Sequence, residues 1–244
     1  MFEPGKTDIG RQGVLTMRQA SIIAIAAALS TGAATAQYTN VHSAAWGEAN
    51  HAQILASALG GTFNAATSKD YSNGTVYADR IKDSSWMSPT DQIWSAGTYH
   101  ATMVAHEAGY THTFGYVEGN KNNLGSFTGV LRSDEIGSSA TVSLDSNFRW
   151  AIKNDQQFGG HLFTSRDNDN PDCDDHMVAY KLLRDGELFG YALFFEDLKY
   201  CSDKDYNDVA VILTLVPTPQ AAMMGLTGLG GLGLLAGRRR RETM

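Results

Sequence analysis

The stretch Phe194-Phe195-Glu196-Asp197-Leu198-Lys199-Tyr200-Cys201-Ser202-Asp203-Lys204-Asp205-Tyr206-Asn207-Asp208-Val209-Ala210-Val211-Ile212-Leu213 decides the fold. Two apolar runs flank a polar loop. Leu188 to Phe195 is aromatic and aliphatic, and Val209 to Leu215 is almost wholly β-branched or aliphatic. Short apolar runs bounded by polar clusters mark strands buried on both faces. The unit is therefore expected to be strand, loop, strand, with Glu196 and Asp208 at its two necks and Asp197, Asp203, Asp205 and Asn207 between them.

So many acids on one short loop repel each other unless a cation lies among them. Oxygen ligands spaced Asp-x-Asp-x-Asn suit a hard cation, Ca²⁺ first, because alternate side chains on a curved loop converge. The loop is not an EF-hand: Asp208 stands where that motif needs glycine, and no glutamate occupies its twelfth position. The alternative reading of the same residues is a solvated hairpin loop.

Phe195-Glu196-Asp197-Leu198 followed by Asp203-Lys204-Asp205-Tyr206-Asn207-Asp208 resembles the signature of a bacterial family called domain of unknown function 4114. Upstream, Ala105-His106-Glu107-Ala108-Gly109-Tyr110-Thr111-His112-Thr113-Phe114-Gly115-Tyr116 is similar to that family's opening motif. The resemblance spans roughly Gly97 to Leu215 and implies a fold and a site rather than a reaction.

Working outward, Gly97 onward is regularly β. Thr98–Ala105, Thr111–Val117, Gly125–Leu131, Ala140–Leu144, Phe148–Ile152 and Met177–Leu183 precede the two runs already described. Turn residues separate them at intervals that suit an all-β antiparallel β-sandwich, jelly-roll-like in outline. Residues 37–96 form an N-terminal helix and connecting segment. Ala45 to Leu59 is amphipathic, with Trp46, Ile54, Leu55 and Leu59 on one face and Gly60-Gly61 to end it. Thr75–Ile81 is strand-like. Trp86 and Trp94 are expected in the core, exposed stacking platforms being the alternative.

The ends of the chain read as targeting segments. Residues 1–36 comprise a leader and signal peptide, with Met17 as the working start, Arg18 as the positive end, Ala20–Leu29 as the apolar core and cleavage after Ala36 by signal peptidase. Residues 216–244 resemble a PEP-CTERM sorting signal: Val216-Pro217-Thr218-Pro219, the apolar Ala221–Ala236, then Arg238-Arg239-Arg240-Arg241. An apolar segment stopped by basic residues is held with the positive end in the cytoplasm, which gives transient membrane contact. The resemblance implies export in a Gram-negative bacterium, processing by an exosortase, and an extracellular or envelope location, with exopolysaccharide as an associated partner. Thr218 replaces the usual glutamate.

The charge between the two ends is strongly acidic. The chain carries 19 Lys+Arg and 26 Asp+Glu, a formal −7, but 12 basic and 23 acidic residues lie between Gln37 and Pro219, a net of −11. Such a surface attracts divalent cations and repels nucleic acid.

A second acidic run, Asp167-Asn168-Asp169-Asn170-Pro171-Asp172-Cys173-Asp174-Asp175, precedes the first. Asp167, Asp169 and Asp172 are candidate metal ligands there, an Asx-rich surface loop being the alternative. The chain has two cysteines, and in an exported protein such a pair is most simply a disulfide. A Cys173–Cys201 bridge would join the two acidic loops and stabilise the fold by about 3.6 kcal/mol on a chain-entropy basis.

Other motifs are set aside. His106-Glu107-Ala108-Gly109-Tyr110 lacks the second histidine of a zinc motif, and His100, His106 and His112 are read as surface residues. No catalytic residue is assigned. The leading function is a non-catalytic, calcium-stabilised protein of the cell surface or matrix, adhesive or glycan-associated. The alternative is a glycosidase-like hydrolase using Glu196 with Asp208 or Asp203.

Overall fold

The computed structural model describes residues 38–83, 90–120, 123–155, 160–200 and 202–216. The expected signal peptide, the sorting signal beyond Val216, Trp86 and Cys201 lie outside the described residues. All described residues fall within one unit, 34–244. None of the described helices is long and apolar enough to cross a membrane.

In chain order the elements are α1 (His51–Leu59), β1 (Asn64–Ala65), β2 (Tyr71–Ser72), β3 (Val76–Arg80), β4 (Gly97–His106), β5 (His112–Asn120), β6 (Asn123–Arg132), β7 (Ser139–Leu144), β8 (Phe148–Asn154), β9 (Leu162–Thr164), a 3₁₀ turn (Asp167–Asp169), β10 (Met177–Arg184), β11 (Glu187–Phe195) and β12 (Val209–Leu215). Two antiparallel sheets result: β1-β2-β3-β10-β11-β12-β4-β7 and β6-β5-β8-β9. Among the described residues the chain is an all-β sandwich with one short helix, as the strand pattern leads one to expect. The strand-like run at Thr75–Ile81 is β3, and its pairing of Tyr180 with Arg80 makes part of the 37–96 segment a strand of the larger sheet.

The deciding stretch shows why its runs are uniformly apolar. Met177, Ala179, Leu193, Phe195, Val209, Val211 and Leu213 pack in the core shared with Phe114, Phe148, Trp150 and Phe163 of the smaller sheet. Their intervening neighbours Val178, Tyr180, Ala192, Phe194, Ala210 and Ile212 pack on the opposite face with Ile54 and Leu55 of α1. A strand covered on both faces has no position left for a polar residue. In β4 the alternation changes sides where Ala210 pairs with Ala105 but Val211 with Met103. One extra residue, Val104, sits in the bulge, so Ala105 faces the helix side while Met103 faces the inter-sheet core.

The helix is shorter than its periodicity suggests. Asn50 caps it: its side chain accepts from Gln53 N at 3.0 Å, while Gln53 Oε1 accepts from Asn50 N at 2.9 Å. Gly60, at φ +81°, closes the other end. Trp46 therefore precedes the helix and is fully exposed rather than on its buried face. Trp94 is a core residue, with its Nε1 donating to Asp91 O at 2.7 Å.

Candidate metal centre

The loop from Asp203 to Asp208 is shaped by two residues in the left-handed region, Lys204 (φ +60°) and Tyr206 (φ +57°). Neither is glycine, so each such conformation costs about 1 kcal/mol or more and persists only where the surroundings impose it. Tyr206 shows what imposes it. Its side chain is buried in the helix-side core, and its hydroxyl donates to Asp175 O at 2.9 Å. Left-handed residues at alternate positions curl the backbone and leave Asp203, Asp205 and Asn207 as the non-left-handed positions between them.

Two acidic groups form. In the first, ligand oxygens of Glu48, Asp203 and Asp205 lie within 4.8 Å of one another. Asp205 Oδ2 accepts from Ala45 N at 3.2 Å, and its Oδ1 from Asn207 N at 3.3 Å. Asn207 Nδ2 donates to Glu48 Oε2 and to Ala49 O, both at 3.2 Å. Asn207 is 1 % exposed, yet its Oδ1 has no hydrogen-bond partner among the described residues. Burial, and then the charge of Asp203, push the Asp205 carboxyl up to about 6.

In the second group, Glu196, Asp197 and Asp208 likewise offer oxygens within 4.8 Å. Asp208 Oδ2 accepts from Asp197 N at 2.8 Å, which closes the two necks of the loop on each other. Glu196 and Asp197 are 2 % and 3 % exposed; Glu196 Oε2 lacks a hydrogen-bond partner among the described residues, and Asp197 Oδ2 faces the His112 ring. Burial, followed by the neighbouring carboxylates, holds Asp208 far above the usual carboxylate range. Burial raises Glu196 as well, and Asp203 and Asp197 add to it. Protonation is how such a group survives without a cation, and a divalent ion would replace the protons.

His112, a surface residue on the sequence reading, is not one in the structure. It is fully buried, because β5 turns it inward against the necks, with Nε2 3.0 Å from Asp197 Oδ2. Glu48 was also missed, being 155 residues ahead of Asp203 with no local motif to single it out.

The second acidic run does not join these groups. Asp169 Oδ2 pairs with Arg149 Nε at 2.6 Å, both side chains being almost fully buried, and Asp169 Oδ1 lies 3.6 Å from Arg166. Asp172 faces His176 Nε2 at 3.1 Å, and His176 Nδ1 lies 3.0 Å from Glu196 O. Asp167 Oδ1 accepts from Asn168 N at 2.6 Å. His176 is thus what links this run to the neck of the main loop. Cys173 is free and exposed, at φ +59°. With Cys201 outside the described residues, the Cys173–Cys201 bridge is not seen.

A further buried acid set was not expected. Asp91 is fully buried and held well above its ordinary value by burial and by Asp175 and Asp83. Asp175 is pushed up to about 7 by burial and by Asp83. Arg80 offsets them, donating from Nη2 to Asp83 Oδ1 at 3.0 Å.

Two cavities lie on this side of the described residues, and the second borders the loop. One of about 690 Å³ is lined by Tyr38–Ala44, Glu48, Asn50, Lys69, Tyr71, Arg80 and Tyr180, among others. The other, about 440 Å³, is lined by residues that include Asp83, Asp175, Lys204 and Tyr206. Glu196, Asp197 and Asp208 line neither.

The sequence profile of a family described as "Domain of unknown function (DUF4114)" matches residues 96–215. That span starts one residue before β4 and ends with β12, so it contains the smaller sheet and both necks of the loop but not Glu48. No curated protein matches the chain.

Proposed function

We propose that this protein is a calcium-stabilised β-sandwich module, exported to the cell surface or extracellular matrix, where it serves an adhesive or glycan-associated role without catalysis. One observation carries the calcium reading. Two triads of carboxylates meet at one loop, and two buried oxygens, Glu196 Oε2 in one triad and Asn207 Oδ1 beside the other, have no donor among the described residues. Buried acceptors ordinarily have donors, and an oxygen-lined group with several carboxylates suits Ca²⁺, which takes six to eight oxygens in flexible geometry. Export, exosortase processing, the envelope location and the association with exopolysaccharide rest on the terminal segments. The Cys173–Cys201 bridge would suit the same oxidising destination.

The hydrolase reading has weaker support. Burial and the neighbouring carboxylates raise both Glu196 and Asp208, and an acid–base pair needs at least one such raised carboxyl. Glu196, however, is buried and lines neither of the two cavities described, so a glycan has no route to it through them.

The test is thermal unfolding with chelator and with millimolar calcium, followed by calorimetric titration. A ligand at one hundred times its Kd stabilises by about 2.7 kcal/mol. For a domain of this size that corresponds to a rise in Tm of roughly 5–10 °C. Identical melting curves and no binding heat would remove calcium from the reading.

A further inference from the structure

Glu48 differs from the other acids in where it comes from. It lies outside the matched span, on the lead-in to α1, yet the lead-in follows the acidic loop residue by residue. His42 N donates to Lys204 O at 2.9 Å, and His42 Nδ1 lies 2.6 Å from Asp203 O. Ala45 N donates to Asp205 Oδ2 at 3.2 Å. His51 Nε2 faces Tyr206 O at 3.1 Å. Asn207 Nδ2 reaches both Glu48 Oε2 and Ala49 O.

Along this seam two features oppose the contact. Three carboxylates converge within 4.8 Å across the junction, which in the absence of a counter-charge pushes the lead-in away from the loop. At the same place the amide of Asn207, 99 % buried and touching Glu48, presents an Oδ1 with no partner among the described residues. A cation accounts for both, neutralising the acids and accepting the amide oxygen. The donors are all oxygen, from carboxylates and an amide on two separate chain segments. Such a set favours Ca²⁺ over Mg²⁺, which needs a near-ideal octahedron and keeps most of its water.

We propose that Glu48, Asp203, Asp205 and Asn207 Oδ1 form one calcium site spanning two chain segments, so that calcium fastens the lead-in to α1 onto the acidic loop. This rests on the calcium reading above and adds to it a ligand from outside the loop and a consequence. Tyr38–Ala44, Glu48 and Asn50 form one wall of the 690 Å³ cavity, so the same ion holds that wall in place. Removing calcium loosens the lead-in while the sandwich, whose inter-sheet core contains none of these residues, stays folded.

Hydrogen–deuterium exchange of residues 38–50 in the purified protein, with calcium or with EGTA, is the direct test, paired with calorimetric calcium titration of wild type, Glu48→Gln and Glu196→Gln. In wild type, calcium slows exchange across 38–50 at least tenfold. Glu48→Gln keeps an oxygen to accept from Asn207 Nδ2 but removes a charge. It weakens one binding event at least tenfold and abolishes the slowing, whereas Glu196→Gln retains the slowing. Calcium binding that is unchanged by Glu48→Gln, or exchange at 38–50 that calcium does not alter in wild type, overturns the clasp and leaves calcium binding by the loop intact. An absence of binding heat in wild type overturns both. The wild-type exchange measurement needs no variant, so a folding defect in Glu48→Gln does not shield the proposal.

Discussion

Asp197 donates its backbone N–H to Asp208 Oδ2 at 2.8 Å, so the end of β11 and the start of β12 are joined through a carboxylate rather than through the strand ladder. The last ladder pair is Phe195 with Val209. Beyond it the necks hold together by this one hydrogen bond, which brings Glu196, Asp197 and Asp208 into one acidic group.

The pH dependence of calcium's effect follows from these acids. Asp205, held up to about 6 in the metal-free fold, ionises near 3.9 when unfolded. The folded state therefore holds the extra proton between those values, and this group's contribution to metal-free stability falls as pH rises through that window. Calcium needs the ionised form, so protons compete with it below about 6. The calcium-induced rise in Tm should be larger at pH 7.5 than at pH 5. Scanning calorimetry at the two values, with and without EGTA, checks it; an equal rise at both would show that these carboxyls are not the ligands.

Asp169 gives a contrasting case. Its carboxylate is paired with Arg149 in a buried contact, so Asp169→Asn leaves a buried guanidinium without its partner charge. Breaking such a pair costs about 3–5 kcal/mol. Urea unfolding should show that loss equally with calcium and with chelator. A loss seen only with calcium would instead make Asp169 a ligand.

His51 is buried between Tyr180 and Tyr206, with Nδ1 2.9 Å from the Tyr180 hydroxyl and its ring stacked on Phe194 at 3.9 Å. Burial lowers it to about 3, against an ordinary value of 6.5. The unfolded chain thus binds a proton that the folded one refuses, and stability falls as pH drops from 6.5 toward 3. His51→Gln should remove up to about 1.4 kcal/mol per pH unit from that slope, read from urea midpoints between pH 4 and 7. It should also destabilise the protein at pH 7 by about 1–3 kcal/mol, because buried polar groups lose partners.

Gly115 of β5 pairs with Gly129 of β6. A Cβ there would lie 2.0 Å from Thr128 O, a backbone atom that moves only if the strand pair does. Gly115→Ala should destabilise by about 2 kcal/mol or more through overpacking and lost pairing. Urea unfolding measures it, and a neutral result would mean that β5 and β6 separate at little cost.

Some of this was legible from residues alone. The strand boundaries at Val209–Leu215 and Glu187–Phe195 follow from apolar runs with polar stops, and the loop between them announces its acids. Trp46 shows the limit: its spacing fits the helical face, but Asn50 starts the helix after it, and a capping box decides where a periodic pattern begins. His112 shows another: a turn at Glu107–Gly109 is expected from the residues and separates it from His106, but its burial against Asp197 depends on the necks that the fold brings to it.

What the sequence determined by itself is therefore the class of fold and the chemistry of one loop, because alternation, turn residues and carboxylate spacing are local properties. Which acids meet was decided only in three dimensions. Asp169 and Asp172 are acidic by sequence, but they are engaged by Arg149 and His176, which packing brings to them. Glu48 carries no local signal and reaches the loop only because α1 covers the outer face of the large sheet. A charge's partner depends on which distant segments the hydrophobic layers press together, and one-dimensional spacing does not encode that.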